Sequence, residues 1–200
     1  MILAVIFILA VIGLDQLSKY WAVTRLAARG TIPIIENVFH LTYAENRGAA
    51  FSMMWDSRWF LVIITSLTMI FVATALYRKW LDGHIVRWGG YCIIAGGIGN
   101  LIDRVLNGYV VDMFDFRLIN FAIFNVADIF ICVGGGLFVL YMILELIAAD
   151  KAKKAQEAAV IAEAQAEWAA KRAGSAQAPC GTEEAGETDS AEQEKPDAEA

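Results

Sequence analysis

Residues 59–77 read WFLVIITSLTMIFVATALY, nineteen positions without a formal charge. A helix needs about 20 apolar residues to cross the roughly 30 Å hydrocarbon layer of a bilayer. The stretch therefore reads as a transmembrane helix. Three further runs flank it. Met1 to Leu14 is uncharged, and carrying that helix on to about Val23 makes it long enough to span, with Asp15 and Lys19 near its far end. A secretory signal peptide is the competing reading of this first run. No positive segment precedes it and no A-x-A site follows, so an anchor that stays is expected. Trp88 opens a run uncharged until Asp103, and Ile129 to Ala149 is broken only by Glu145. Trp59, Tyr77, Trp80 and Trp88 stand at or just beyond run ends, where interfacial aromatics belong.

The expected fold class is thus membrane α-helical, with helices at about 1–23, 59–78, 88–106 and 126–149. Between the first two, Val38-Phe39-His40-Leu41-Thr42-Tyr43 alternates roughly and favours β structure, while Glu45-Asn46-Arg47-Gly48 reads as a turn before Ala49-Ala50-Phe51. A small β-sheet or hairpin lying on the membrane face is expected there.

Charge separates the rest of the chain. Hydrophobic residues make up 58% of it and charged residues 19%, with a net charge of −6. Residues 1–149 hold ten basic and ten acidic side chains, so the whole excess lies in 150–200. That tail is Ala- and Glu-rich, expected to be helical to about Arg172 and disordered beyond. A neutral membrane portion with an acidic tail excludes a basic nucleic-acid binder. The three cysteines (Cys92, Cys132, Cys180) and two histidines (His40, His84) form no metal-ligand spacing and no HExxH, so neither a metal nor a cofactor is expected.

Ionisable residues within spans are costly and mark function by default. Here they gather at one end of the bundle. Asp15 and Lys19 lie a turn apart at the end of the first helix. Asn100, Asp103 and Arg104 share one face at the end of the third. Asn125 and Asp128 stand at the start of the fourth, and Asn46, Asp112 and Asp115 fall in the connecting segments on that same side. Simple structural readings exist for each: an ion pair for Asp15 with Lys19, another for Asp103 with Arg104, a helix cap for Asn125, a packing seam for Gly96, Gly97 and Gly99, and packing or local flexibility for Gly134-Gly135-Gly136. Their joint placement favours a site. No Cys/His pair and no GxSxG elbow serves this layer, and Ser18 and Ser52 have no base beyond His40. Carboxylates remain: Asp15, Asp103, Asp112, Asp115 and Asp128. Two of them held close in a desolvated site share a proton, so one acts as base and the other as acid. The pair titrates as a unit, and the sequence does not divide the roles.

Five blocks in order resemble the bacterial lipoprotein signal peptidases, the type II signal peptidase family of aspartic membrane proteases. Asp15-Gln16-Leu17-Ser18-Lys19 resembles its D-Q-x-x-K block, and Asn46-Arg47-Gly48-Ala49-Ala50-Phe51 its N-x-G-x-A-F block. Residues 96–104 are similar to its G-G-x-x-G-N-x-x-D-R signature. Val110-Val111-Asp112-Met113-Phe114 and Phe124-Asn125-Val126-Ala127-Asp128 resemble the blocks bearing its catalytic aspartates. The resemblance implies Asp112 and Asp128 as a catalytic dyad, with Asn46, Gly48, Asn100, Arg104 and Asn125 lining or supporting the substrate pocket and Asp15, Lys19 and Asp103 holding the surroundings. It implies a diacylglyceryl-prolipoprotein substrate cut just before the lipidated cysteine, and four helices with a small periplasmic sheet.

The same resemblance puts the chain in the bacterial inner membrane with both termini cytoplasmic. Charge agrees. Setting aside Lys19, Arg47 and Arg104 as site residues leaves four basic residues on the far side (Arg25, Arg29, Arg58, Arg117) against six near the membrane on the side of the termini. The expected partners are this substrate and the lipid bilayer, with no nucleic acid, and the expected state is a monomer. A proton-coupled transporter or a non-catalytic membrane scaffold is the alternative. The transporter would need a polar path through the bundle or internal repeats, and neither is visible.

Overall fold

A computed structural model describes residues 2–48, 58–80 and 82–175. Along the chain run α1 (Ile2–Trp21), a π-helical turn (Ala22–Leu26), β1 (Thr31–Ile35), β2 (Phe39–Asn46), α2 (Arg58–Tyr77), α3 (His84–Leu106), β3 (Val110–Phe116), a 3-10 turn (Arg117–Ile119) and α4 (Val126–Ser175). Among the described residues, four helices are long and apolar enough to cross a membrane. The strands form one antiparallel sheet in the order β1-β2-β3. The membrane α-helical class with a small sheet is therefore what the chain adopts. It divides into two compact units, Met1–Ala148 and Ala149–Ala200. In the second, residues 149–172 are helical and exposed.

Burial follows from lipid being the solvent on the helices' outer faces. In α1 and the turn after it, Val11, Asp15, Lys19, Ala22 and Leu26 form one buried stripe, while Leu3, Leu9 and Leu17 face outward. Two charged residues, Asp15 and Lys19, thus lie on the inner stripe of a spanning helix. Helix α3 packs against both α1 and α2 and buries Gly89, Gly90, Ala95, Gly96, Gly97 and Gly99. A Cβ on Gly96 would run into the Ala127 carbonyl and Ile131 of α4, and one on Gly134 would lie 2.6 Å from the Gly89 carbonyl oxygen. These glycines form a packing seam, since close backbone approach is what associates helices where lipid removes the hydrophobic drive. Gly135 and Gly136 face open space.

The sheet departs from expectation in two ways. Its third strand, β3, takes the place of the loop expected to carry Asp112 and Asp115. The run 110–113 is buried on both faces, so it lacks the alternation that marks a half-exposed strand. Its order comes from pairing with β2: Asn46 lies opposite Val110, Glu45 opposite Val111 and Ala44 opposite Asp112. The turn expected at 45–48 is displaced as well. Glu45 and Asn46 are extended by that pairing, and the chain reverses between β1 and β2 at Asn37, whose φ of 60° is one that Asn tolerates. Helix α3 starts at His84, earlier than 88. Ala49, Ala50, Phe51, Ser52 and Cys180 lie outside the described residues.

A core of Ala22, Leu26, Val111 and Met113, flanked by Ile32, Leu41, Tyr43, Tyr109 and Phe114, seats the sheet on the end of α1. Successive side chains of a strand point to opposite faces. With Val111 and Met113 on this core, Asp112 between them points the other way.

Candidate active site

Helix α4 begins with a reciprocal cap. The Asp128 N–H donates to Asn125 Oδ1 at 3.0 Å, and the Asn125 N–H donates to Asp128 Oδ2 at 3.1 Å. This is a capping box with Asn at the cap and Asp three residues on. The structural reading of Asn125 is therefore correct, and the site uses the same residue. With its oxygen taken by the backbone, the Asn125 amide must turn its Nδ2 outward, where it donates to Asp112 Oδ1 at 2.7 Å and to Asn100 Oδ1 at 3.1 Å. One fully buried amide thus touches both Asp112 and Asp128.

The remaining oxygens of the pair are matched with donors. Asn46, at the end of β2, gives Nδ2 to Asp112 Oδ2 at 3.0 Å, and its own oxygen accepts the Gly48 N–H at 3.3 Å. Gly48 thus acts by orienting Asn46. From α3, Asn100 gives Nδ2 to Asp128 Oδ1 at 2.7 Å. Asp112 is only 2% exposed. Desolvation, followed by the like charge of Asp128, pushes its carboxyl up to about 6. Asp112 therefore keeps its proton to higher pH than exposed carboxylates do. The Arg104 guanidinium of α3 interacts electrostatically with Asp128, then Asp112 and Asp103.

Beneath the pair lies a second layer. Lys19 Nζ stands 2.8 Å from Asp15 Oδ2 and 3.1 Å from Asp103 Oδ2, and it donates to Asn100 Oδ1 at 2.9 Å. The expected Asp15–Lys19 pair is present, and Asp103 is ion-paired to Lys19, where Arg104 was expected. Ions so deeply buried each cost several kcal/mol, about, unless further hydrogen bonds satisfy them. The N–H groups of Ala127 and Val111 and the amide of Gln16 supply those bonds.

All the residues singled out around Asp112 and Asp128 thus converge: Asp15, Lys19, Asn46, Gly48, Asn100, Asp103, Arg104 and Asn125. Asp115 stands apart, bonded to Thr42 at 2.8 Å and paired with Arg117 at 2.9 Å. Ser18 donates to the Asp15 carbonyl of its own helix, so it is no nucleophile paired with His40. Gln16 was missed as a supporting residue. It stands in the D-Q-x-x-K block, but its adjacency to Asp15 carries no spacing signal, and only the fold shows that it reaches Asp103.

Fold and site together define a multi-pass membrane protein with a hydrogen-bonded carboxylate pair, Asp112 buried and Asp128 half-buried, at one end of its helices. A model of the signal peptidase (SPase) II family matches residues 7–144. A lipoprotein signal peptidase of Clostridioides difficile (strain 630) is 47% identical over 142 residues, covering 70% of this chain and 95% of the relative. One from Streptococcus thermophilus (strain CNRZ 1066) is 46% identical over 140 residues, 68% of this chain and 88% of the relative. Two solved structures, each a bacterial membrane enzyme determined by the in meso method, superpose well. The one at 2.3 Å gives a TM-score of 0.68 at 26% identity, covering 73% of this chain and 90% of that one. The one at 1.9 Å gives 0.65 at 27%, covering 71% and 93%. The chain belongs to the signal peptidase II family, a family of membrane peptidases. Residues beyond 144 lie outside the family match.

Proposed function

We propose that this chain is an aspartic endopeptidase that removes the signal peptide from diacylglyceryl-modified prolipoproteins, cutting before the lipidated cysteine, with Asp112 and Asp128 as its catalytic dyad. The observation that carries this reading is the single buried amide of Asn125 bonded to Asp112 and capped onto Asp128, at the membrane-helix ends of a signal peptidase II chain. The enzyme sits in the bacterial inner membrane with both termini cytoplasmic and its site at the periplasmic boundary, as the weak basic excess on the side of the termini supports.

The chemistry follows from a pair sharing one proton. The ionised carboxylate takes a proton from a water as its oxygen attacks the scissile carbonyl carbon. The protonated carboxyl donates to the carbonyl oxygen, giving a tetrahedral diol with no covalent enzyme adduct. Collapse of the diol breaks the C–N bond, with a proton delivered to the leaving amine. Every carboxylate oxygen of the pair already holds an N–H donor, so both side chains are fixed before substrate arrives. Asn46, exposed at the end of β2, joins the buried Asp112 to the exposed edge of the site. Arg104 orients the substrate backbone and counters charge developing on the pair.

The test is cleavage by the purified protein of a diacylglyceryl-prolipopeptide and of its unlipidated twin. Cleavage of the first alone, with the new N-terminus at the modified cysteine, is expected. Equal cleavage of both, or of neither, contradicts the reading.

A further inference from the structure

The two buried carboxylates beneath the dyad hold backbone. Asp15 Oδ1 accepts the N–H of Ala127, the residue before Asp128, at 2.9 Å. Asp103 Oδ2 accepts the N–H of Val111, the residue before Asp112, at 3.1 Å. One ammonium joins these two holders, with Lys19 Nζ 2.8 Å from Asp15 and 3.1 Å from Asp103. A third arm runs from Lys19 to Asn100 Oδ1 at 2.9 Å, and from Asn100 Nδ2 to Asp128 Oδ1 at 2.7 Å. We infer that Lys19 is a positioning residue that sets the separation of Asp112 and Asp128, by tying together the two carboxylates that grip the peptide N–H immediately ahead of each. The inference rests on the proposed function, in which those two side chains react.

The arrangement suits a compact ammonium. Asp112 and Asp128 belong to different elements, β3 and α4, and like charges would drive them apart. Two of the three arms grip peptide N–H groups, of Ala127 and Val111, so rotation of the Asp112 and Asp128 side chains does not relax them. Gln16 Nε2 repeats the bridge at 3.2 Å to each carboxylate, but as a neutral amide it offsets none of their repulsion. An Arg at position 19 would keep the charge while replacing a point donor with a larger planar fork.

Spacing and simple charge make opposite predictions for the pH profile. The groups around the dyad are Asp15 and Lys19 of α1, Asp103 and Arg104 of α3, and the neutral amides of Asn46, Asn100 and Asn125. If Lys19 acted through its charge alone, its loss would leave the pair more negative and hold the shared proton to higher pH. If it sets spacing, its loss lets the carboxylates separate, their repulsion weakens, and the proton leaves at lower pH. The double variant Asp15→Asn/Lys19→Met removes one charge of each sign and isolates the spacing effect.

The experiment measures kcat, KM and the pH profile of kcat for full-length wild type, Asp15→Asn/Lys19→Met, Lys19→Arg and Asp112→Asn. The substrate is the diacylglyceryl-prolipopeptide, with the folded state checked by thermal unfolding in detergent. Expected for the double variant is a kcat lowered about 10²-fold, the scale of a misplacement near 1 Å, with KM little changed and the alkaline limb moved to lower pH. Lys19→Arg should lose kcat in the same sense. A kcat near wild type in either variant, or an alkaline limb moved to higher pH, overturns the inference. If only one variant folds, the other decides by the same criteria. If neither folds, Lys19 is a requirement of the fold and the positioning role is refuted. A wild type without activity overturns the proposed function and the inference with it. An active wild type beside an inactive Asp112→Asn leaves the function standing whatever the Lys19 variants do.

Discussion

Replacing Gly99 by Ala adds one methyl group at the point where α1 and α4 meet α3. The new Cβ would lie 2.6 Å from Asp15 Oδ2, 3.1 Å from its Cγ and 3.3 Å from the Ala127 Cβ. Ordinary contact begins at 3.4 Å, so the carboxylate must retreat by about 0.8 Å in a packed interior. A retreat of that size is enough to take the 2.8 Å contact with Lys19 out to roughly 3.6 Å, past hydrogen-bonding range. Losing a hydrogen bond to a charged group costs about 1.5–3 kcal/mol. Ala in place of a helical Gly returns about 1 kcal/mol. The net expectation is a destabilisation of about 0.5–2 kcal/mol, with kcat lowered about 10²-fold because Asp15 also holds the backbone ahead of Asp128. The control is Gly135→Ala, where nothing lies within 4 Å of the added methyl. It should leave kcat unchanged and raise stability by up to ~1 kcal/mol. Thermal unfolding in detergent and steady-state cleavage measure both. Wild-type stability and kcat in Gly99→Ala would refute the claim that this glycine makes room for Asp15.

Asn125→Ser separates the two tasks of Asn125. The Ser hydroxyl can still cap α4, so stability should fall by no more than ~1 kcal/mol, while loss of the Nδ2 donor to Asp112 should lower kcat at least ~10-fold; equal and large losses in both would show that capping is its whole role. The Asp112 carboxyl, raised to about 6, binds its proton more tightly folded than unfolded. It therefore contributes stability that is fully present at acid pH and is lost as pH rises through about 6, and a catalytic step needing that proton weakens over the same range. The protonated carboxyl stretch in the infrared, followed through a pH titration, should vanish with that midpoint and move to lower pH in Asp128→Asn. A midpoint near that of an exposed carboxylate in the wild type contradicts the burial argument.

The membrane class was legible because a nineteen-residue uncharged run has no soluble alternative of comparable economy. The i,i+4 spacing of Asp15 and Lys19 and the Asn-x-x-Asp start of α4 were legible because helix geometry alone puts those groups in contact. Strand β3 was not, since burial on both faces erases alternation and its partner lies far away in sequence, from 64 residues (Asn46 to Val110) to 77 (Phe39 to Phe116). The choice of Lys19 as ion partner for Asp103 over its neighbour Arg104 depends on how closely α1 approaches α3, which the space at Gly99 beside Asp15 permits. The grips on the Val111 and Ala127 N–H groups were invisible for a different reason: backbone donors carry no side-chain signature.

Under the proposed function, Asp112 and Asp128 together perform the hydrolysis. The most direct measurement is single-turnover cleavage of a diacylglyceryl-prolipopeptide by Asp112→Asn and by Asp128→Asn, each shown by thermal unfolding and membrane insertion to be folded. Asn keeps the volume and one acceptor but can neither lose a proton to the leaving group nor take one from water. Each variant should lose at least ~10³-fold in rate, within the range of general acid–base catalysis, and still bind the lipidated substrate. A folded variant that cleaves within ~10-fold of the wild-type rate, below the smallest usual contribution of such a group, would contradict the dyad assignment.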